Sequence, residues 1–214
     1  SHKIEYNQMD ITSSIKKYKN SVTRKYISLS NDETDVITKG DYWLSRKYDG
    51  QLWFYCKSNK TSKIINSNER DISNIVQDIK KDLDKKLSKS KNIILAGELY
   101  FLTKDRERYG DTISALGDNS KKKNLRLGIF DVVASDKFLS NFEKKYNFLK
   151  KTLGKNLKDF SHVFEHKKIK QKEINKLFKE MAIKDNAEGL VIKNDSVVYK
   201  IKKEETADLL ITGY

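Results

Sequence analysis

The chain contains no proline, one cysteine and only nine glycines in 214 residues. With proline absent and glycine this sparse, it has no Pro-rich or Gly/Ser-rich linker, and no repeat of fixed period marks an array. One domain over 1–214 is the expectation, with residues 1–40 as a polar segment packed on it. The single cysteine, Cys56, rules out an internal disulfide framework and a cysteine-based zinc site. It lies in an apolar run and reads as a small buried hydrophobe. No apolar run approaches membrane-spanning length and no signal-peptide pattern opens the sequence. The expected location is therefore intracellular, cytoplasmic or nuclear rather than secreted, with no membrane partner.

Negative charge is the other scarcity. Asp and Glu number 30 against 44 Lys and Arg, giving a formal net charge of +14. A field of that sign and size favours polyanionic partners and speeds their encounter in a salt-dependent way. A Lys-, Asn- and Ile-rich composition also arises without any such partner, so charge alone points to nucleic acid without establishing it.

The apolar residues are enough for a core and fall into short runs. Tyr42–Arg46 and Leu52–Cys56 read as strands on either side of Asp49-Gly50, a dipeptide that predicts a two-residue hairpin turn because both central residues of a type I′ turn need positive φ. A third strand is expected near Ile64–Ile65. Ile72, Ile75, Val76, Ile79, Leu83 and Leu87 recur at helical spacing. "NIILAGELYFL" reads as a strand interrupted at Gly97-Glu98. Thr103 to Asn124 reads as a long polar loop carrying Arg106 and Arg108, and "LRLGIFDVV" as a buried strand. Helices are expected around Ile15–Tyr18, at Phe142–Leu153 and at Ile174–Met181. "EGLVIKN", "VVYKIKK" and "ADLLITGY" are further strands. The interleaving predicts an α+β domain built on antiparallel sheets.

Several of these runs end in a charge: Glu98 after "ILAG", Asp131 after "GIF", Glu188 before "GLVIK", and Lys200 and Lys202 alternating with Tyr199 and Ile201. Buried charge is costly unless paired or used. Taken singly, each is read as well by an edge cap or a solvated strand face.

Their order is more specific. Lys47-Tyr48-Asp49-Gly50, "AGELY", "GIFDVV", "EGLVIK" and "VVYKIKK" resemble, in sequence, the five motifs of the covalent nucleotidyltransferase superfamily of DNA and RNA ligases and mRNA-capping enzymes. "TADLLITGY" is similar to the segment that leaves this domain in DNA ligases. The resemblance implies an ATP-grasp-like nucleotidyltransferase domain of antiparallel sheets flanked by helices, with the OB-fold domain absent from this stretch and supplied elsewhere in a full-length protein.

It also implies roles. Lys47 would be the nucleophile that forms a phosphoramidate with AMP from ATP. Glu98 would contact the ribose, Phe130 would stack on the base, and Lys200 and Lys202 would contact phosphate and share in catalysis. Glu188, with Glu98, would hold Mg²⁺, or Mn²⁺ in its place. Ser45, Arg46, Asp49 and, more loosely, Arg70 would complete the ATP site. The AMP would pass to a 5′-phosphate of nicked duplex nucleic acid, DNA favoured over RNA, and a 3′-hydroxyl would displace it.

The chemistry suits these residue types. A lysine must be neutral to attack, and near pH 7 only on the order of one in a thousand is. Burial, a metal ion and neighbouring ammonium groups all favour the neutral amine. Two departures bear on nucleotide choice. Ser45 stands where DNA ligases carry a Glu that helps read adenine, and Leu52 where they carry Arg. ATP-dependent RNA ligation, GTP-dependent capping and a non-catalytic basic module stay open as alternatives. Arg46 and Lys193 read as solvated basic side chains beside the motifs.

Overall fold

The computed structural model describes residues 9–203; the strand expected at "ADLLITGY" and the ligase-like "TADLLITGY" lie outside the described residues. In chain order, helix α1 (Ile11–Ser21) leads to β1 (Ile27–Ser30), β2 (Asp41–Lys47), β3 (Gln51–Ser58) and β4 (Thr61–Ile65). Helix α2 (Gln77–Lys86), β5 (Asn92–Phe101), α3 (Tyr109–Gly117), β6 (Leu125–Ser135) and α4 (Phe142–Leu153) follow. β7 (Ser161–Val163), β8 (Lys167–Lys170), α5 (Ile174–Phe178), β9 (Gly189–Lys193) and β10 (Val198–Lys202) complete it.

The ten strands form two five-stranded sheets, ordered β1-β10-β9-β2-β8 and β4-β3-β5-β6-β7. All pairings are antiparallel except β1 with β10 and β6 with β7. This is the expected α+β architecture of two mainly antiparallel sheets flanked by helices, and no OB-fold barrel is present among the described residues.

Each sheet buries its faces differently. The second sheet is covered on both: Trp53, Tyr55, Ile93 and Leu95 pack with α2 and α4, while Phe54, Cys56, Ile94 and Ala96 pack under Ile15 and Tyr18 of α1. Two-sided burial explains why "WFYC" is apolar without alternation, and why Cys56 is enclosed as expected. The first sheet packs Tyr42, Leu44, Leu190, Ile192 and Ile201 against α5. On its other face, Trp43 meets Phe142 and Tyr146 of α4 edge-on, and the rest of that face is left for a cleft. Burying each such aliphatic or aromatic side chain is worth about 1.5–3 kcal/mol. The helices also start where their caps dictate: Asp10 accepts from Ser13 N at 3.0 Å and Asn141 from Lys144 N at 2.9 Å.

Four local expectations are corrected. β2 and β3 do not form a hairpin; they belong to different sheets, so Asp49-Gly50 is a crossover between them. Neither residue has positive φ. Gly50 is required for another reason: a Cβ there would lie 2.1 Å from the Leu99 carbonyl oxygen. The two-residue hairpin turn is instead Asn59-Lys60, between β3 and β4, with Asn59 at φ 56°. β5 runs unbroken through Gly97-Glu98, absorbing the irregularity as register shifts. The stretch 103–124 holds α3, whose Thr112 and Ala115 are buried, as well as loop.

Candidate nucleotide-binding site

The register of three strands gathers the lysines. Gly189 on β9 pairs with Lys47 on β2 and with Lys202 on β10, and Val191 pairs with Ser45 and Lys200. With the two-residue period of a strand, Ser45, Lys47, Val191, Lys193, Lys200 and Lys202 share the face that does not pack on α5. Gly189 permits this closeness, since a Cβ there would sit 2.0 Å from the Ile201 carbonyl oxygen. The residue before it, Glu188, is thereby placed between two ammonium groups. It accepts from Lys47 Nζ at 2.7 Å and lies 3.7 Å from Lys202 Nζ.

The opposite wall comes from the second sheet. Glu98 on β5 accepts a hydrogen bond from Gly50 N at 3.2 Å, tying the Lys47 turn to the wall it faces. Burial pushes the Glu98 carboxyl up to about 7, against the pull of Lys200 and Lys47. Burial likewise lowers Lys200, opposed by Glu98 and reinforced by Lys47 and Lys202. Phe130 and Asp131 on β6 line the far end. They are neighbours in sequence, yet both reach the same side because the register shifts between Ala96 and Gly97: Ile129 pairs with Gly97, Asp131 with Ala96, and Phe130 is the extra residue. Between the walls lies an open cleft of about 640 Å³.

Of the residues expected here, Ser45, Arg46, Lys47, Glu98, Phe130 and Lys200 line the cleft, and Glu188 and Lys202 join it through the ion pairs at Lys47. Asp49 lies in the crossover and does not line the cleft. Arg70 is exposed in the turn after β4, its backbone N–H held by Asn66, and is not brought to the cleft.

The two basic residues read as solvated are both engaged. Arg46 contacts the nearly buried Glu107 at 3.2 Å. Lys193 is buried, donates to the Phe130 carbonyl at 3.0 Å and stands 3.9 Å above the Phe142 ring. Burial lowers its pKa to about 8.

Tyr18 and Tyr26 also line the cleft, and no motif in the sequence marks them. Tyr18 donates to Asp131 Oδ2 at 2.9 Å, and Lys200 Nζ sits 4.0 Å from the Tyr26 ring centroid. The amphipathic spacing of Ile15 and Tyr18 signals a buried helix face, but nothing local says that this face closes a cleft.

A bound Mg²⁺ fits the donor set. Glu188, beside Lys47, and Glu98, on the wall that faces it, are hard oxygen ligands, and Mg²⁺ commonly takes one or two carboxylates and completes its shell with water and phosphate. Among the described residues, no three or more His, Cys, Asp or Glu side chains gather to hold a metal by themselves.

No curated protein matches the sequence. Solved structures share the fold at low identity. Pmar-Lig_PreS3 aligns over 84% of this chain and 44% of its own at 16% identity and TM-score 0.60. Mycobacterial DNA ligase D complexed with ATP and MES aligns over 84% and 60% at 13% identity and 0.58. An archaeal ATP-dependent RNA ligase aligns over 84% and 47% at 11% identity and 0.57. The chain thus spans about half the length of these structures. No helix among the described residues is long and apolar enough to cross a membrane. The family profile described as the ATP dependent DNA ligase domain matches residues 11–210, nearly the whole chain, and the chain therefore belongs to that family.

Proposed function

We propose that the chain is the adenylating unit of a polynucleotide ligase, a single nucleotidyltransferase domain with Lys47 as nucleophile. The observation that carries the reading is the Lys47–Glu188 contact of 2.7 Å, inside a cleft whose walls bring a stacking ring, a buried carboxylate and a second lysine to the same space.

In the first step the neutral Lys47 amine attacks the α-phosphorus of ATP. A P–N bond forms, the bond to the bridging oxygen breaks, and pyrophosphate leaves in line. An ammonium group has no lone pair to give, so Lys47 must first release the proton it now donates to Glu188. In the second step a 5′-phosphate oxygen attacks the lysyl-AMP phosphorus and the P–N bond breaks. In the third, a 3′-hydroxyl attacks the 5′-phosphate and AMP departs. Phe130 offers the base a stacking face, Glu98 is placed for the ribose, and Lys200 and Lys202 balance the charge that develops on phosphate. Mg²⁺, when bound by Glu98 and Glu188, would neutralise phosphate oxygens. Arg46, Asp49 and Arg70 have no direct part in this reading, because Glu107 occupies the first and the other two do not line the cleft.

DNA as the strand that is sealed rests on the family match. The test is intact-protein mass after incubation with Mg²⁺ and ATP or GTP, with the chain joined to an OB-fold domain and Lys47→Ala as control. An adenylate adduct that requires Lys47 and is reversed by pyrophosphate supports the reading. A guanylate adduct supports capping chemistry instead, and no adduct overturns both. Sealing of nicked DNA against nicked RNA then assigns the strand.

A further inference from the structure

Lys200 is held differently from the other two lysines of its strand face. Lys47 and Lys202 both lean on Glu188, at 2.7 and 3.7 Å. Among the described residues Lys200 makes no ion pair and donates no hydrogen bond; its Nζ stands 4.0 Å from the centroid of the Tyr26 ring. The sheet explains the contact. β1 is an edge strand of the first sheet and pairs parallel to β10, with Ser28 beside Lys200. Tyr26 precedes Ser28 by two residues in extended backbone, φ −61° and ψ 134°, and so projects from the same face as Lys200. Both side chains line the cleft.

A ring and a carboxylate hold an ammonium group in different ways. The ring face attracts the charge through its quadrupole and has no lone pair to claim an N–H. Lysine has three donors and no acceptor, so a lysine resting on a ring keeps its donors open to phosphate oxygens. A lysine bound to a carboxylate must first give that partner up. The ring also favours the charged form where the site disfavours it: burial lowers Lys200, Glu98 opposes the shift, and Lys47 and Lys202 add to it. The Tyr26 phenol itself stays neutral, because burial, then Asp131 and Glu98, push its pKa well up.

We propose that Tyr26 is a positioning residue for lysyl-AMP formation: its ring seats the Lys200 ammonium at the cleft with its donors open, ready for the charge that develops on phosphate as pyrophosphate leaves. The inference rests on the lysyl-AMP reading of the cleft. It assigns the work to the ring face and not to the phenol hydroxyl. It also gives β1 a part in the chemistry, since this strand adds the outer member of the sheet and delivers the ring to Lys200.

The test is the rate of adduct formation with Mg²⁺ and ATP, followed by intact-protein mass over a range of ATP concentrations, on the chain alone and joined to an OB-fold domain. Tyr26→Leu should lower the rate at saturating ATP by about tenfold, the scale of one partly desolvated cation–π contact. The half-saturating ATP concentration should move by no more than about twofold, since the loss falls on the transition state. Tyr26→Phe keeps the ring and should stay within about twofold of wild type. In a Lys200→Ala background, Tyr26→Leu should cost nothing further, because the ring then has no ammonium to seat. A merely structural role would instead make the two losses multiply, and that result overturns the inference. So does a Tyr26→Phe rate as low as that of Tyr26→Leu, which would assign the effect to the hydroxyl. Should Tyr26→Leu fail to fold, phenylalanine carrying one, two and three ring fluorines at position 26 decides: the rate should fall stepwise as the ring face loses negative charge, and a flat series sinks the inference. A wild-type adduct on Lys47 with an unmoved Tyr26→Leu rate overturns the role of Tyr26 alone. No adduct in wild type, with the OB-fold domain joined, overturns the lysyl-AMP reading and the inference with it.

Discussion

Glu98 illustrates how a residue acquires its chemistry from its surroundings. In the sequence it is an acid interrupting an apolar strand; in the fold it sits against the Lys47 turn, and burial raises its pKa to about 7. The sign of the resulting pH dependence follows from linkage. Between about 4.5 and about 7 the unfolded chain has lost this proton and the folded chain has kept it, so stability falls as pH rises through that window. Below it both forms are protonated and no penalty exists. Glu98→Gln should therefore raise the melting temperature of the nucleotide-free protein at pH 8 and leave it nearly unchanged at pH 4, as read by thermal denaturation. The same substitution should weaken ATP binding, the usual cost of a strained functional group. Lys193 carries the same lesson: "EGLVIKN" shows a short apolar strand with a terminal lysine, and only packing reveals that this lysine is enclosed against Phe142.

At the scale of elements, two glycines decide whether the cleft can be built. Gly189 allows β10 to approach β9 so that Lys47, Lys200 and Lys202 converge, and Gly50 allows the crossover to lie on β5. Gly189→Ala and Gly50→Ala both drive a Cβ into a backbone carbonyl, which has no rotamer to yield with. Each should cost about 2 kcal/mol or more, on the scale of severe overpacking. Urea denaturation should show it as a lowered midpoint with little change in slope. Here the sequence pattern misleads in an instructive way. Asp-Gly between two apolar runs carries the hairpin signal, yet the strands it joins enter different sheets. Local preference was outweighed by the two-sided burial of β3, which must pair with β4 and β5 to satisfy its backbone inside the second sheet.

The whole molecule carries a formal charge of +14, and its family acts on nucleic acid. If nucleic acid binds, the interaction should weaken steeply with salt. Six phosphate contacts would lower affinity by on the order of 10³ between 50 and 200 mM salt, measurable by fluorescence anisotropy with a nicked duplex. A flat salt response would argue that the charge serves another end. The two-sheet architecture also explains where the site lies. The first sheet is covered by α5 on one face, and α4 fills only one end of the other, so the strands that carry the lysines border unfilled space.

The sequence by itself determined the class of fold and the family, and it singled out Lys47, Glu98, Phe130, Glu188, Lys200 and Lys202 as candidate groups, because the order of residue types along a chain is legible in one dimension. Tertiary structure alone decided which candidates meet. It excluded Arg70 and Asp49 from the cleft wall, buried Lys193, and brought Tyr18 across 113 residues to Asp131. The physical reason is that a contact between distant segments is set by how sheets and helices pack. Neither spacing nor propensity records that Tyr18, on a buried helix face, ends beside the Asp131 carboxylate.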